Sequence, residues 1–349
     1  MDNLLMFNSE LTPSQIKNTF VKTGKIHKKV IQDVLPQLQE NQPLIDIARI
    51  IENSIHQHTK FDNSPERRLD KGIGFPVGLS INECAAHWTP NPLDTKICLG
   101  KNDLVKIDYG VHSQGCIVDG AYSFSFNPQF QELIGVAEDA TKLAISNSGD
   151  DAILGEIGEV VQEYIESQEI DINGTNYPLK SIKDLTGHKI LPWIIHADKS
   201  VPNFKCNYPV RMKAGEVYAI ETFPSTGCGR TQEENECSHY QVNTELLKKE
   251  YKELHNINCQ TGGKILQPIQ LDKKETYVYH RILELYQTLP FCKRWLSEAS
   301  VNKYQIPLRN LVKKKRIRAF PPLSDRKGSW VAQSEKTILI EESQVRVLN

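Results

Sequence analysis

Asp108 and Asp119 stand in two stretches of alternating apolar and polar character, 104–111 and 116–124, that read as the arms of one hairpin with a turn at Ser113-Gln114-Gly115. With Ser113 and Gln114 as the loop, the two aspartates face each other across the strand pair, where Cβ atoms lie about 5 Å apart. Like charges at that spacing repel unless one is protonated or a cation lies between them. The flanking Val105, Ile107, Ile117 and Val118 are apolar, so the strands are expected to be covered on at least one face. An unpaired carboxylate is costly there. The pair reads as a ligand set, against the plainer alternative of two solvated surface groups.

Three further segments carry matching chemistry. In Leu185-Thr186-Gly187-His188 a glycine is expected to turn the chain sharply before an imidazole. The stretch 215–223 alternates as a strand with Glu221 near its end, and 331–340 reads as another strand with Glu335 in its middle. Each acid taken alone is ordinary. Four carboxylates and one imidazole together are what two divalent ions need when two of the carboxylates bridge them.

The elements that must position these groups follow a repeated plan. Thr12-Pro13 starts a helix whose apolar period runs to Pro36, and a second helix spans about Leu44 to Ile55. A strand at 72–81 and the two hairpin arms follow. After Pro128 come helices at 132–145 and 156–165, then strands near 190–195, 216–223 and 330–340. Two helices and three strands, twice over, predict an α+β fold with a central curved sheet. Between about Gln241 and Ala319 a stretch with helices at 275–286, 291–298 and 307–314 reads as an inserted helical subdomain, ending in the basic run Lys313-Lys314-Lys315-Arg316-Ile317-Arg318. That run is expected to be a solvated face, without nucleic-acid contact.

Composition sets bounds. A chain of 349 residues, 39% hydrophobic and 24% charged, has material for one large core or two modest ones. A formal net charge of −1 gives no global attraction to nucleic acid or to an anionic membrane. No leader and no membrane-length apolar run is read, so a soluble cytoplasmic protein is expected. The eight cysteines have no CxxC spacing, and reduced thiols are expected.

The chain resembles the type II methionine aminopeptidases, metallopeptidases of the pita-bread fold, over nearly its whole length. The resemblance rests on Gly74-Phe75-Pro76, Asn82-Glu83-Cys84-Ala85-Ala86-His87, Lys106-Ile107-Asp108-Tyr109-Gly110, Leu185-Thr186-Gly187-His188, Ile195-His196-Ala197, Ala219-Ile220-Glu221-Thr222-Phe223, Glu236-Cys237-Ser238-His239-Tyr240 and Ala332-Gln333-Ser334-Glu335. It implies one catalytic domain over 1–349, built as two pseudo-symmetric halves round a curved antiparallel sheet. The 241–319 stretch would be the winged-helix-like insert of type II. Three departures stand out: Phe320 where the family usually has tyrosine, Thr186 where asparagine precedes Gly-His, and Ser324 opposite Cys84 where some members have a second cysteine.

The resemblance further implies a metal set of Asp108, Asp119, His188, Glu221 and Glu335 holding two divalent ions, cobalt, manganese, iron or zinc. An activated hydroxide would attack the first peptide bond of a nascent polypeptide and release its initiator methionine when the second residue is small. Glu221 would shuttle the proton, and His87 and His196 would stabilise the carbonyl and the tetrahedral intermediate. Phe75, Ile195, Phe223 and His239, with His87 and His196, would line the side-chain pocket. A monomer is expected, and ribosome association stays open. Two rivals are an inactive pita-bread homologue that binds RNA or the ribosome, and a proline dipeptidase. Intact ligand types argue against the first. The roughly 70 residues ahead of Phe75 are too few for the second's extra domain.

Overall fold

The computed structural model describes residues 11–234, 236–247 and 270–349. Helix α1 (Pro13–Val34) begins with a capping box: Thr12 accepts from the Gln15 backbone N–H, and the Gln15 side chain accepts from the Thr12 N–H. Pro13, which has no N–H to leave unpaired, occupies the first turn. Its buried stripe includes Phe20, His27, Val30, Ile31 and Val34, and packs with α2 (Leu44–Thr59). Helices α3 (Gln131–Ser146) and α4 (Leu154–Glu166) form a second pair with an apolar core of their own.

Both pairs lie on one face of an eight-stranded antiparallel sheet. Its strands are β1 (Lys71–Ile81), β2 (Val105–Ser113), β3 (Cys116–Phe124), β4 (Gly187–Ile190), β5 (Val217–Thr222) and β9 (Ser334–Ile340), with two short pieces, Ser200–Val201 and Val345–Val347. The spatial order is Ser200–Val201, β4, β5, β9, β3, β2, β1, and Val345–Val347 pairs with β9. Val105, Ile107, Tyr109 and Val111 of β2 face the first helix pair, and Tyr218, Ile220 and Ile338 face the second. Alternation therefore turns Asp108, Glu221 and Glu335 to the opposite face.

The two halves meet where β3 runs beside β9, and their ladder is recorded at one pair alone, Ser334 with Tyr122. Side chains replace the missing ladder. Thr337 Oγ1 donates to the Asp119 carbonyl at 2.7 Å and accepts from the Asp119 N–H at 2.8 Å. The Asn349 carboxamide donates to the same carbonyl at 2.7 Å and accepts from the Thr337 N–H at 2.8 Å.

Beyond this sheet, β6 (His239–Val242) is flanked by β7 (Phe291–Cys292) and β8 (Ile317–Phe320), with helices α5 (Lys273–Tyr286), α6 (Lys293–Glu298) and α7 (Gln305–Lys313) around one further core. The helical periods at 275–286 and 307–314 correspond to α5 and α7. The stretch 291–298 differs, because its first two residues extend to pair with β6 before α6 begins. The part of the expected insert at 248–269 lies outside the described residues.

Three local expectations need correction. Strand pairing on the third ligand segment begins at Gly187 rather than near 190, and the 191–194 stretch folds back, with the Leu191 N–H bonded to the Ile194 carbonyl and reciprocally. Gly187 is no turn: it lies in β4, where an added Cβ would sit 2.5 Å from the Ala219 carbonyl oxygen. The hairpin loop is Gln114-Gly115, not Ser113-Gln114. Both of its residues have positive φ, 48° and 77°, as a two-residue turn matching the strand twist requires. Asp108 consequently faces Ala121, and Asp119 faces Gly110. This register differs by two residues from the expected one, so both carboxylates stay on the same face, diagonal instead of opposed.

Candidate metal centre and substrate cavity

Five strands converge on the sheet's free face. Glu221 on β5 is directly opposite Glu335 on β9, and His188 on β4 is paired with Ala219, one same-face step from Glu221. His188 Nε2 lies 3.6 Å from Asp119 Oδ2 and 3.9 Å from Glu221 Oε1. Ligand atoms of Asp119, His188 and Glu335 fall within 4.8 Å of one another, which makes these three the centre of the group. Asp108 completes it from the β2 side.

Burial acts on every group of this arrangement. Asp119 is 4% exposed and Glu335 is 1% exposed. Desolvation, then the nearby carboxylates, holds Asp119 and Glu335 well above the ordinary carboxylate range; Glu221 is raised by desolvation and then by Asp108. Desolvation pushes Asp108 up to about 7. The same enclosure keeps the His188 imidazole well below its usual value and therefore neutral, the form that ligates metal. Asp108 Oδ1 and Asp119 Oδ1 are buried without a hydrogen-bond partner. Hard oxygen donors with one imidazole, and carboxylate lone pairs left unused, fit divalent cations.

Gln333 was absent from the expected ligand set. It sits two residues before Glu335, hence on the same face, and its Nε2 lies 3.4 Å from both Glu221 Oε2 and Glu335 Oε2. Period-two counting inside Ala332-Gln333-Ser334-Glu335 would have found it. Thr337 and Asn349 carried no such signal, because they act through the β3 backbone.

A cavity of about 330 Å³ opens onto the carboxylates. Phe75, His87, Ile195, His196 and His239 all line it, together with Phe320. Phe223 does not. It is buried one layer behind, against Ala86 and Leu185, which themselves form the wall. Phe75 folds its ring over Gly110, where any side chain would collide with it. His87 adopts φ of 66°, an uncommon conformation for a side chain of its size, and its ring meets Phe320 edge-on at 5.9 Å.

The three cavity histidines differ in their freedom. His239 Nε2 lies 3.3 Å from the Pro76 carbonyl, an acceptor only, so Nε2 carries the hydrogen; Nδ1 lies 3.2 Å from the Ser238 hydroxyl, which itself donates to the His87 carbonyl at 3.2 Å. Burial lowers its pKa to about 3. It is a fixed wall. His87 is lowered to about 4, again mainly by burial, and is neutral at physiological pH. His196 stands at the exposed mouth with its ring edge-on to His188 at 4.2 Å. Its pKa lies below the ordinary value, from protein packed round the ring and then from His87 and Arg318.

Known proteins resemble this chain in sequence and in fold. The metallopeptidase family M24 matches residues 18–249. Methionine aminopeptidase 2-1 of Fusarium vanettenii is 40% identical over 331 residues, covering 95% of this chain and 70% of the relative. Methionine aminopeptidase 2 of Schizosaccharomyces pombe is 38% identical over 332 residues, covering 95% of this chain and 72% of the relative. In fold, the crystal structure of a methionine aminopeptidase from Thermotoga maritima superposes with a TM-score of 0.60 at 18% identity, covering 97% of each chain.

Proposed function

The chain belongs to the metallopeptidase family M24 and, within it, to the type 2 methionine aminopeptidases; from that premise we infer a metal-dependent hydrolase that removes the initiator methionine from polypeptides. We propose that Asp108, Asp119, His188, Glu221 and Glu335 would hold two divalent ions. The observation that carries this reading is the convergence of four carboxylates and a neutral imidazole on one cavity, with buried carboxylate oxygens left unpaired. Ions held there would supply Lewis-acid polarisation of the first peptide carbonyl and a lowered pKa for the attacking water.

The remaining work falls to this chain's own groups. Phe75 and Ile195 take the unbranched thioether side chain, with His239 as a rigid wall. His87 and His196, each neutral with one N–H, donate to the carbonyl as negative charge develops on its oxygen. Glu221, steadied by Gln333, accepts the proton from water and returns it to the leaving amine. A small second residue fits behind the methionine. A methylene in an apolar pocket discriminates by only about 1–3 kcal/mol, so slow cleavage after similar side chains is expected.

The test is cleavage of Met-Gly-Met and Met-Leu peptides by chelator-stripped protein, then with cobalt, manganese, iron or zinc restored. Activity should return with metal and favour the small second residue. Equal rates without metal, or none with any metal, would overturn the proposal. Among the described residues no helix is long and apolar enough to cross a membrane. We place the activity in the cytoplasm, on chains emerging from the ribosome, as a monomer.

A further inference from the structure

Behind the β1 wall of the substrate cavity lies a second cavity of about 320 Å³, enclosed by α2, the 61–69 loop, β1, β2, the end of α5 and α6. Its acids are already engaged. Glu52 accepts from both terminal guanidinium nitrogens of Arg294 at 2.8 and 2.7 Å, and from Trp295 Nε1 at 2.9 Å. Glu298 lies 3.7 Å from Arg294 and 3.5 Å from Arg49. In the loop itself, Asp62 and Asp70 are both taken by Arg67, at 3.9 and 3.3 Å.

Arg68 lines the cavity and has no ion pair among the described residues; its Nε is buried without a hydrogen-bond partner. His112, also in the lining and 2% exposed, leaves Nδ1 unpaired. A buried polar group without a partner is costly, and both groups border the same space. Two aromatic pairs supply flat walls: His56 stacks on Phe61 with centroids 4.1 Å apart and planes 12° apart, and Tyr286 lies 5.8 Å from Trp295.

We propose that this cavity binds a compact aromatic carboxylate, its ring against the His56–Phe61 and Tyr286–Trp295 walls and its carboxylate on the Arg68 guanidinium, within hydrogen-bonding reach of His112. A guanidinium fork matches a carboxylate in shape and charge. A dianion would bring a second negative charge beside Glu52 and Glu298 with no further unpaired Lys or Arg among the lining residues described to meet it. Pro290 lines both cavities, and Ile73 is two residues from Phe75 along β1, so an occupant touches the structure that shapes the substrate cavity.

Titration calorimetry of the full, metal-loaded chain with indole-3-acetate and with uncharged indole-3-acetamide tests this. A ligand of that size at ordinary efficiency should bind the acid with a dissociation constant of about 1 mM or tighter. The amide should bind at least about tenfold more weakly, and so should the acid to Arg68→Gln. Equal affinity for acid and amide, undiminished binding to Arg68→Gln, as capture of the carboxylate by the metal centre would give, or no binding of the acid would each overturn the assignment. None of these outcomes bears on peptidase activity.

Discussion

His87 and His27 show how the same side chain does different work. His87 opens on the substrate cavity and touches none of the five ligands through a recorded hydrogen bond. Replacing it with alanine should lower kcat by about 100-fold, the usual loss of one donor to a developing oxyanion. Calorimetric metal affinity should stay within about twofold; a parallel loss of metal binding would assign His87 to the centre itself. His27 is buried beneath the sheet, stacked on Tyr109 at 4.1 Å, with Nε2 donating to the Tyr109 carbonyl at 2.9 Å and Nδ1 facing the Asn349 amide at 3.3 Å. Burial lowers its pKa from 6.5 to about 3. The unfolded state therefore binds the proton first, and His27's contribution to stability, complete above pH 6.5, is lost as pH falls towards 3. At pH 5 the loss is about 2 kcal/mol. Between pH 7.5 and 5, His27→Gln should lose about that much less stability than the parent in denaturant titrations, and an unchanged difference would contradict the burial argument.

At the scale of elements, the hairpin, β5, β9 and the helix pairs were legible because strand alternation, the helical period and the Thr12 cap of α1 are local signals. The hairpin also shows the limit. Which two residues make a tight turn depends on which can take positive φ, and Gly115 decides for Gln114-Gly115, with the Trp193 ring placed where a Cβ would stand, 2.5 Å away. Gly187 likewise looked like a turn residue, although its reason is the close approach of β5, which sequence cannot display. Phe223 alternates correctly along its strand yet packs behind the cavity, because the chain leaves β5 at Thr222. Asn349 was invisible for a different reason: its partners, Asp119 and Thr337, are distant in sequence. Asn349→Ala leaves a buried carbonyl and N–H short of partners, which should cost about 1–3 kcal/mol. It should also weaken metal binding about tenfold, as loss of support behind a ligand does. Asn349→Asp keeps the acceptor and loses the donor. If both variants bind metal like the parent, the carboxamide has no part in placing Asp119.

For the whole molecule, the informative fact is the distribution of the proposed ligands between the halves. Asp108 and Asp119 belong to strands backed by α1 and α2, whereas Glu221, with β9 beside it, belongs to the half backed by α3 and α4. β6 and the structures flanking it, which carry His239 and Phe320, are anchored to the first half through the buried Glu52–Arg294 pair. Substrate wall and metal ligands are thus fixed by separate long-range contacts. That separation is why the convergence of these acids and His188 could be read from motifs while the depth of each wall residue could not.

The scarcity of backbone pairing between β3 and β9 makes that boundary a seam, and a cation held by the proposed ligands would be a rivet across it. Stripping the ion should loosen the joint before either half melts. Amide hydrogen exchange would then quicken at residues 117–120 and 334–338 while α2 and α4 stay protected. Uniform quickening would instead mean that the two sides fall apart as one.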